Sequence, residues 1–356
     1  MEEDTNTATS IDQSAEKRQA LQKMQCLVSS DKSPLVDIIV VNYNYGKFLN
    51  ECLQSVLAQD YENWHCIVVD DASTDESPSF ITQFVEAHPD RFTAVYRTEN
   101  GGQLEAIRSG LDYSEGDFVV FLDSDDMLFP NFISVHLAAH LYRFNVAFTC
   151  SQLAVINGKG RVISSCRTDV SHLTQRQYFT YIGVQPLIWL RWYWSASSGM
   201  MFRRSVLTWA IPQDTSRFRI CADHLLAQFA HLVGGSLVIQ EVLGYYRMHS
   251  CNQFSSPSVY GMKACHGNMR IHPSHRKDTA PTLTDLLLLH AEEMSVTIGP
   301  GQWLYRFSLV APLTMYRQAF RIRNKLGLST AQLGLSLILR HLQNALVVVR
   351  YLLTQR

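Results

Sequence analysis

"VDIIVVNYNYGKFLNECLQSVLAQDYENWHCIVVD", Val36–Asp70, is the stretch whose reading decides the fold. "VDIIVV" is an apolar, β-branched run with the length of a buried strand. "KFLNECLQSVLAQ" then sets Leu49, Leu53, Val56 and Leu57 on one helical stripe, and "HCIVVD" repeats the strand signal. Beyond it the alternation continues. "SFITQFVEAH" reads as a short helix after the turn "DASTDESP", and "RFTAVYR" as a strand. "GGQLEAIRSGLDYS" is a helix with Leu104, Ile107 and Leu111 aligned. "DFVVFL" is a strand, "NFISVHLAAHLYRF" a helix and "NVAFTC" a strand. Short apolar strands alternating with amphipathic helices imply a doubly wound α/β domain with a parallel sheet.

Ligands of such sheets sit beyond the carboxyl ends of the strands. The polar segments fall there: "NYN" after the first strand, "DDASTD" after the second, "TENGGQ" after the third and "DSDD" after the fourth. No G-x-G-x-x-G follows the first strand and no Walker-type lysine loop is present, so a nicotinamide or flavin dinucleotide fits poorly. The chain of 356 residues is 46% hydrophobic with a net charge of −1, enough for one large or two modest cores. That balance argues against nucleic acid as the main partner. Eight scattered cysteines without a CxxC pair argue against a disulfide framework or zinc site and suit a reducing, cytoplasmic setting. The polar residues 1–34 read as a loose leader.

"FVVFLDSDDMLFP", Phe118–Pro130, runs an apolar strand into Asp123, Asp125 and Asp126. Side chains alternate along extended backbone, so Asp123 and Asp125 point the same way and can flank a hard cation such as Mg²⁺ or Mn²⁺. The alternative is that Asp125 or Asp126 caps the helix starting at Asn131. Asp70 and Asp71 form a similar pair after the second strand, while Thr74 or Asp75 is an ordinary helix cap.

Several ordered blocks across residues 36–254 resemble a family 2 glycosyltransferase with the GT-A fold: the stretch from "IIVVNYNYG" to "VVDDASTDES", then "RTENGGQLEAIRSGLDYSEGDFVVFLDSDDMLFPNFI", "SSGMMFRRSVL" and "YRMHSCNQF". The resemblance implies a Rossmann-like, mostly parallel sheet flanked by helices. It also implies an inverting transferase that uses a nucleotide-diphosphate sugar, most simply a UDP-sugar, with Mn²⁺ or Mg²⁺. Carried over by position, Asp123 and Asp125 match the DxD acids, with Asp125 the direct metal ligand. Asp71 matches the acid that contacts the base, Tyr43 and Asn44 the loop around the nucleoside, and Gln103 the segment near the donor. Asp223 in "CADHLLAQFA" matches the general base, although the family's acidic neighbour is Ala222 here. Asp223 as a plain helix cap is compatible with that role. His249 matches a histidine near the metal and diphosphate, and Arg247 can pair with phosphate oxygens.

These matches divide residues 35–254 into a nucleotide-sugar half, 35–150, and an acceptor half, 151–254. A helical, basic extension, 255–356, follows. The acceptor implied is a saccharide or a lipid-linked saccharide, with polysaccharide or cell-envelope glycan synthesis as the setting. From Gly301 the chain has no Asp or Glu but seven arginines and one lysine. Arg340 and Arg350 interrupt its apolar run, which favours an amphipathic helix on an anionic membrane face, or one packed on protein, over a spanning helix. The run Trp189, Trp192, Tyr193, Trp194 is either an acceptor platform or core. Two rival readings are a sugar-nucleotidyltransferase, which lacks its glycine-rich basic loop here, and a membrane-bound interaction protein on an inactive transferase domain.

Overall fold

The computed structural model describes residues 15–22, 33–164, 177–184, 194–249, 273–310 and 316–336. Four strands form the parallel half of the sheet: β1 (Val36–Asn42), β2 (Trp64–Asp70), β3 (Phe92–Tyr96) and β4 (Phe118–Asp123). Their order is β3-β2-β1-β4, and α1 (Gly46–Leu57), α2 (Ser77–Ala87) and α3 (Gln103–Leu111) are the crossovers. Val41 of β1 lies beside Val69 of β2 and Asp123 of β4, so these strands end level and the loops after them share one rim.

The stripe read on α1 is the buried one: Phe48, Leu49, Cys52, Leu53 and Val56 pack into the core with Val36, Ile38 and Val40. Each such side chain stabilises the fold by about 1.5–3 kcal/mol. Gly110 lets α3 approach the sheet, since a Cβ there would stand 2.5 Å from Ile39 Cγ2. Asp37, buried within β1, accepts hydrogen bonds from Ser114 Oγ (2.7 Å), Glu115 N (2.8 Å) and Gly116 N (2.6 Å), fixing the turn that feeds β4. Burial alone would raise the Asp37 pKa. Its hydrogen bonds, with the His65 imidazole nearby, outweigh that effect and hold it below the usual carboxylate value.

Past β4 the sheet becomes mixed. The strand "NVAFTC" belongs to β6 (Phe148–Asn157), which does not pair with β4. Between them lies β9 (Met200–Arg203), antiparallel to both. β6 then pairs in parallel with β10 (Ser236–Met248), and the short β5 (Met127–Leu128), β7 (Val162–Ser164) and β8 (Phe179–Ile182) add antiparallel edges. The parallel reading holds for the first half only, because the intervening strand comes from a late segment with no periodicity of its own. α4 (Phe132–Tyr142) is buried from Phe132 to His140 rather than amphipathic. The single turn α5 (Arg204–Leu207) and the longer α6 (Ala222–Gly234) complete this unit.

The expected loose leader is partly ordered. Residues 15–22 are helical, Ala20 is buried in the core, Lys17 Nζ reaches Glu241 Oε2 at 2.6 Å, and Glu16 Oε2 accepts from Tyr178 N at 2.9 Å. A buried small residue and an ion pair hold a segment whose polar composition concealed both.

A second compact unit comprises residues 184–190 and 271–356. It contains α7 (Pro273–Leu289), α8 (Ala291–Ile298), α9 (Pro300–Val310) and α10 (Tyr316–Ile322). Trp303 stacks on Phe307 at 5.1 Å and donates Nε1–H to Leu287 O at 2.9 Å. Among the described residues no helix is long and apolar enough to cross a membrane. Most of the apolar tail, 337–356, and the aromatic residues Trp189, Trp192 and Tyr193 lie outside the described residues. Trp194 is core, donating Nε1–H to Ser236 Oγ at 3.0 Å.

Candidate active site

The loops after β1, β2, β3 and β4 meet the segment before α6 around one cavity. Tyr43, Tyr45, Asp71, Asn100, Gly102, Gln103, Asp123 and Asp125 face it from the parallel half, and Arg219, Ile220, Cys221 and Tyr246 from the other half. The rim is built by cross-loop hydrogen bonds. Asn42 Nδ2 donates to Asp70 Oδ1 (2.8 Å), and Ser73 Oγ accepts from Asn44 N (2.9 Å). Asn44 Oδ1 accepts from Thr74 N (2.7 Å). Asn44, Ala72 and Cys221 hold left-handed backbone at φ 59°, 62° and 58°. Such conformations cost roughly 1–3 kcal/mol for residues with a Cβ and cluster where geometry serves a site.

Asp71 anchors the "NGG" loop. Its Oδ1 accepts from Arg97 Nε (2.7 Å) and Gly101 N (3.0 Å), and its Oδ2 from Gly102 N (2.8 Å). Asp75 caps two helices, taking Ser77 N on Oδ1 and Gly46 N on Oδ2, both at 3.0 Å.

The acids of "DSDD" have three different environments. Asp123 is half-buried and receives Gln103 Nε2–H at 3.0 Å and Ser197 Oγ–H at 3.1 Å. Asp125 lies against His249, Oδ2 to Nε2 3.0 Å. Asp126 is fully buried, accepting from Ser198 Oγ at 2.6 Å and Arg247 N at 2.8 Å. Burial first, then the charges of Asp125 and Asp123, pushes the Asp126 carboxyl far above the usual range. A raised pKa at Asp126 lessens the tendency of the turn to hold a third full negative charge. No side-chain cap joins this turn to α4, so neither Asp125 nor Asp126 is the cap that the sequence allowed.

His249 is wedged between Tyr45 and Phe48, with ring centroids 5.1 and 4.6 Å away. Burial, then the positive charges of Lys47 and Arg247, lowers its pKa to about 4, so the imidazole is neutral at neutral pH.

Arg247 does not face the cavity. It is buried beneath the turn, donating Nε–H to Asp125 O at 2.8 Å and reaching Glu51, with its guanidinium 4.7 Å from the Phe48 ring. In this arrangement its guanidinium supports the acidic turn. A long, always-charged fork buried in this way satisfies several acceptors at once. Asn44, likewise, spends its side chain on the loop and is not among the cavity residues. Asp223 lies in the first turn of α6, its Oδ1 accepting from His224 N at 2.9 Å, two residues from the cavity-lining Cys221. Arg97, Ser197, Ser198 and the run Arg219–Cys221 were missed in the sequence. The blocks "RTENGGQ", "SSGMMF" and "CADHLLAQFA" contain Arg97, Ser197, Ser198 and Cys221 but gave none of them a role.

Among the described residues no group of three or more His, Cys, Asp or Glu is arranged to hold a metal by itself. Two acids on the cavity wall beside a neutral imidazole nevertheless fit a hard cation whose shell is completed by water and ligand phosphates, the usual state of Mg²⁺.

The sheet order, the level rim and the acidic turn define an α/β fold with one ligand-accessible edge beyond its parallel strands. The family profile "Glycosyl transferase family 2" matches residues 37–208. Glycosyltransferase alr2836 of Nostoc sp. is 30% identical over 221 residues, 62% of this chain and 67% of that one. WfgD of Escherichia coli, a UDP-Glc:alpha-D-GlcNAc-diphosphoundecaprenol beta-1,3-glucosyltransferase, is 31% identical over 128 residues, 36% of this chain and 49% of that one. Two further curated relatives are matched over 33% and 36% of their own length. The crystal structure of S. aureus TarS 1-349 in complex with UDP-GlcNAc superposes with TM-score 0.51 at 18% identity, covering 82% of this chain and 80% of that one. The fold is GT-A, and the chain belongs to glycosyltransferase family 2.

Proposed function

We propose that the chain transfers a sugar, with inversion, from a UDP-sugar to a saccharide or lipid-linked acceptor in cell-envelope glycan synthesis. One observation carries this reading: Asp71, Gln103, Asp123 and Asp125, from three different loops, face one cavity beyond the strand ends. The donor and lipid-linked acceptor in the name of WfgD support the substrate classes.

In this reading Tyr43 and Asp71 border the base and ribose, with Asn44 shaping their loop. Asp123 and Asp125, with His249 beside them, would hold Mn²⁺ or Mg²⁺, which would supply Lewis-acid stabilisation of the charge developing on the leaving diphosphate. Gln103 and Ser197 orient Asp123, while Arg247 and Asp126 fix the turn from below. Asp223 removes the proton from the acceptor hydroxyl as that oxygen attacks the anomeric carbon from the face opposite the diphosphate. The C1–O bond to the diphosphate breaks as the new C1–O bond forms, so a single displacement inverts the anomeric centre.

Calorimetric titration of UDP tests the donor half. Binding is expected with Mn²⁺, to be lost with EDTA and in Asp125→Ala. Metal-independent binding would remove the cation from the scheme, and no binding in any condition would remove the UDP donor.

A further inference from the structure

Gln103 makes three hydrogen bonds that run to two separate segments, the end of β4 and the stretch leading into α6. Its backbone N donates to Arg219 O at 2.8 Å, its Nε2 donates to Asp123 Oδ1 at 3.0 Å, and its Oε1 accepts from Ala222 N at 2.9 Å. The chemistry fixes the amide's orientation without ambiguity. A peptide N–H only donates, so Oε1 must face Ala222 N, which turns Nε2 toward Asp123. Gln is suited to this by carrying both functions at one side-chain tip. Met has neither, and Asn is one methylene too short to keep both contacts.

The residues around Gln103 tighten the same joint. Gly102, at φ 86°, lies so close to the 219 segment that a Cβ would stand 2.6 Å from Arg219 Cα. Arg219 Nη2 in turn donates to Asn100 O at 3.0 Å. The N–H groups of Gly101 and Gly102 are held by Asp71. The first N–H of α6, which lacks a side-chain cap of its own chain segment, is capped from across the cavity.

We propose that Gln103 is a positioning residue that couples the donor-side acid Asp123 to the helix start carrying Asp223, so that occupation of the donor site orders the acceptor base. This rests on the proposed function, in which Asp123 faces the donor and Asp223 the acceptor. Ligand that draws Asp123 into a fixed position also fixes the Gln103 amide, and through it the Ala222 N–H and the first turn of α6.

The test uses the full chain, UDP with Mn²⁺ as the probe, calorimetry for occupancy, and hydrogen exchange across residues 219–226. In the wild type, saturating UDP and Mn²⁺ are expected to slow exchange at Ala222 and Asp223 about tenfold, the order of one added net hydrogen bond. Gln103→Met, compared with wild type at UDP concentrations that saturate each protein, is expected to show the same exchange in this segment with and without ligand. Gly102→Ala, which opens the joint from its other side, should uncouple it likewise, so the result does not hinge on one variant's folding. Slowing retained in both variants, or absent in the wild type despite UDP binding, would overturn the coupling. A folded Gln103→Met that no longer binds UDP would make Gln103 a donor contact and also overturn it. Failure of the wild type to bind UDP at all would instead defeat the underlying donor reading, and the coupling with it.

Discussion

Asp71→Asn separates two roles that the same residue can have. If Asp71 served only to recognise the donor's base, its replacement would weaken binding and leave stability unchanged or improved, as is common for residues kept for function. The geometry forecasts otherwise. The carboxylate receives Arg97 Nε and Gly101 N on one oxygen and Gly102 N on the other, and it is buried. An Asn in its best orientation keeps the first oxygen but turns an amide NH₂ toward the Gly102 N–H, donor against donor. Hydrogen bonds to charged groups contribute about 1.5–3 kcal/mol, so losing one and weakening two costs roughly 2–4 kcal/mol. Urea unfolding of Asp71→Asn should show the midpoint falling accordingly with the m-value unchanged. A double-mutant cycle with Arg97→Met should give a coupling of about 1.5 kcal/mol or more. UDP affinity should fall in parallel, because the loop that Asp71 holds lines the cavity. A midpoint at or above wild type, with coupling under about 0.5 kcal/mol, would refute the structural role.

Other perturbations follow from single features. Gly110→Ala gains about 1 kcal/mol of helix propensity but forces a Cβ to 2.5 Å from Ile39 Cγ2, so a net loss of about 1–2 kcal/mol is expected in thermal unfolding. Asp126→Asn preserves an acceptor for Arg247 N and can donate to Ser198 Oγ, so it should stay within about 1 kcal/mol of wild type, while Asp126→Ala strands both partners and costs about 1–3 kcal/mol. Burial lowers the pKa values of His136 and His231 to about 3. From about pH 6.5 down to pH 3 the unfolded chain takes up protons that these folded residues refuse, so stability falls with pH by about 1.4 kcal/mol per unit per histidine and is flat above that window. Urea midpoints at pH 7.5, 6.5 and 5.5 should show this, and His136→Leu should make the acid slope shallower.

The parallel half of the sheet was legible because each element carries its own period. "VDIIVV", "HCIVVD" and "DFVVFL" are apolar runs of strand length, and the stripe of Leu49, Leu53 and Val56 is the face that α1 buries. The acids at the strand ends could likewise be placed, since alternating strands and crossovers bring their following loops to one edge. What could not be read were contacts whose partners are far apart in sequence. Nothing near Gln103 announces Ala222, and nothing near Asp126 announces Ser198 or Arg247. Arg247 is a further case: its residue type suggested phosphate, and nothing near it announced its place beneath Asp125 and beside Phe48. β9 was missed for a related reason, being four residues whose strand character comes from two neighbours rather than from periodicity.

That strand also limits how the chain can be divided. A fragment ending near residue 150, where the alternating strand–helix pattern of the sequence stops, would leave Phe118, Val119 and Val120 without the antiparallel partner that now satisfies their backbone groups. It would also remove the hydroxyls of Ser197 and Ser198 from Asp123 and Asp126. Such a truncation exposes a long apolar sheet edge, a template for intermolecular strand addition. The two halves are one cooperative sheet stitched through a four-residue seam, and exchange of acceptor halves between relatives would have to carry β9 with its new neighbours.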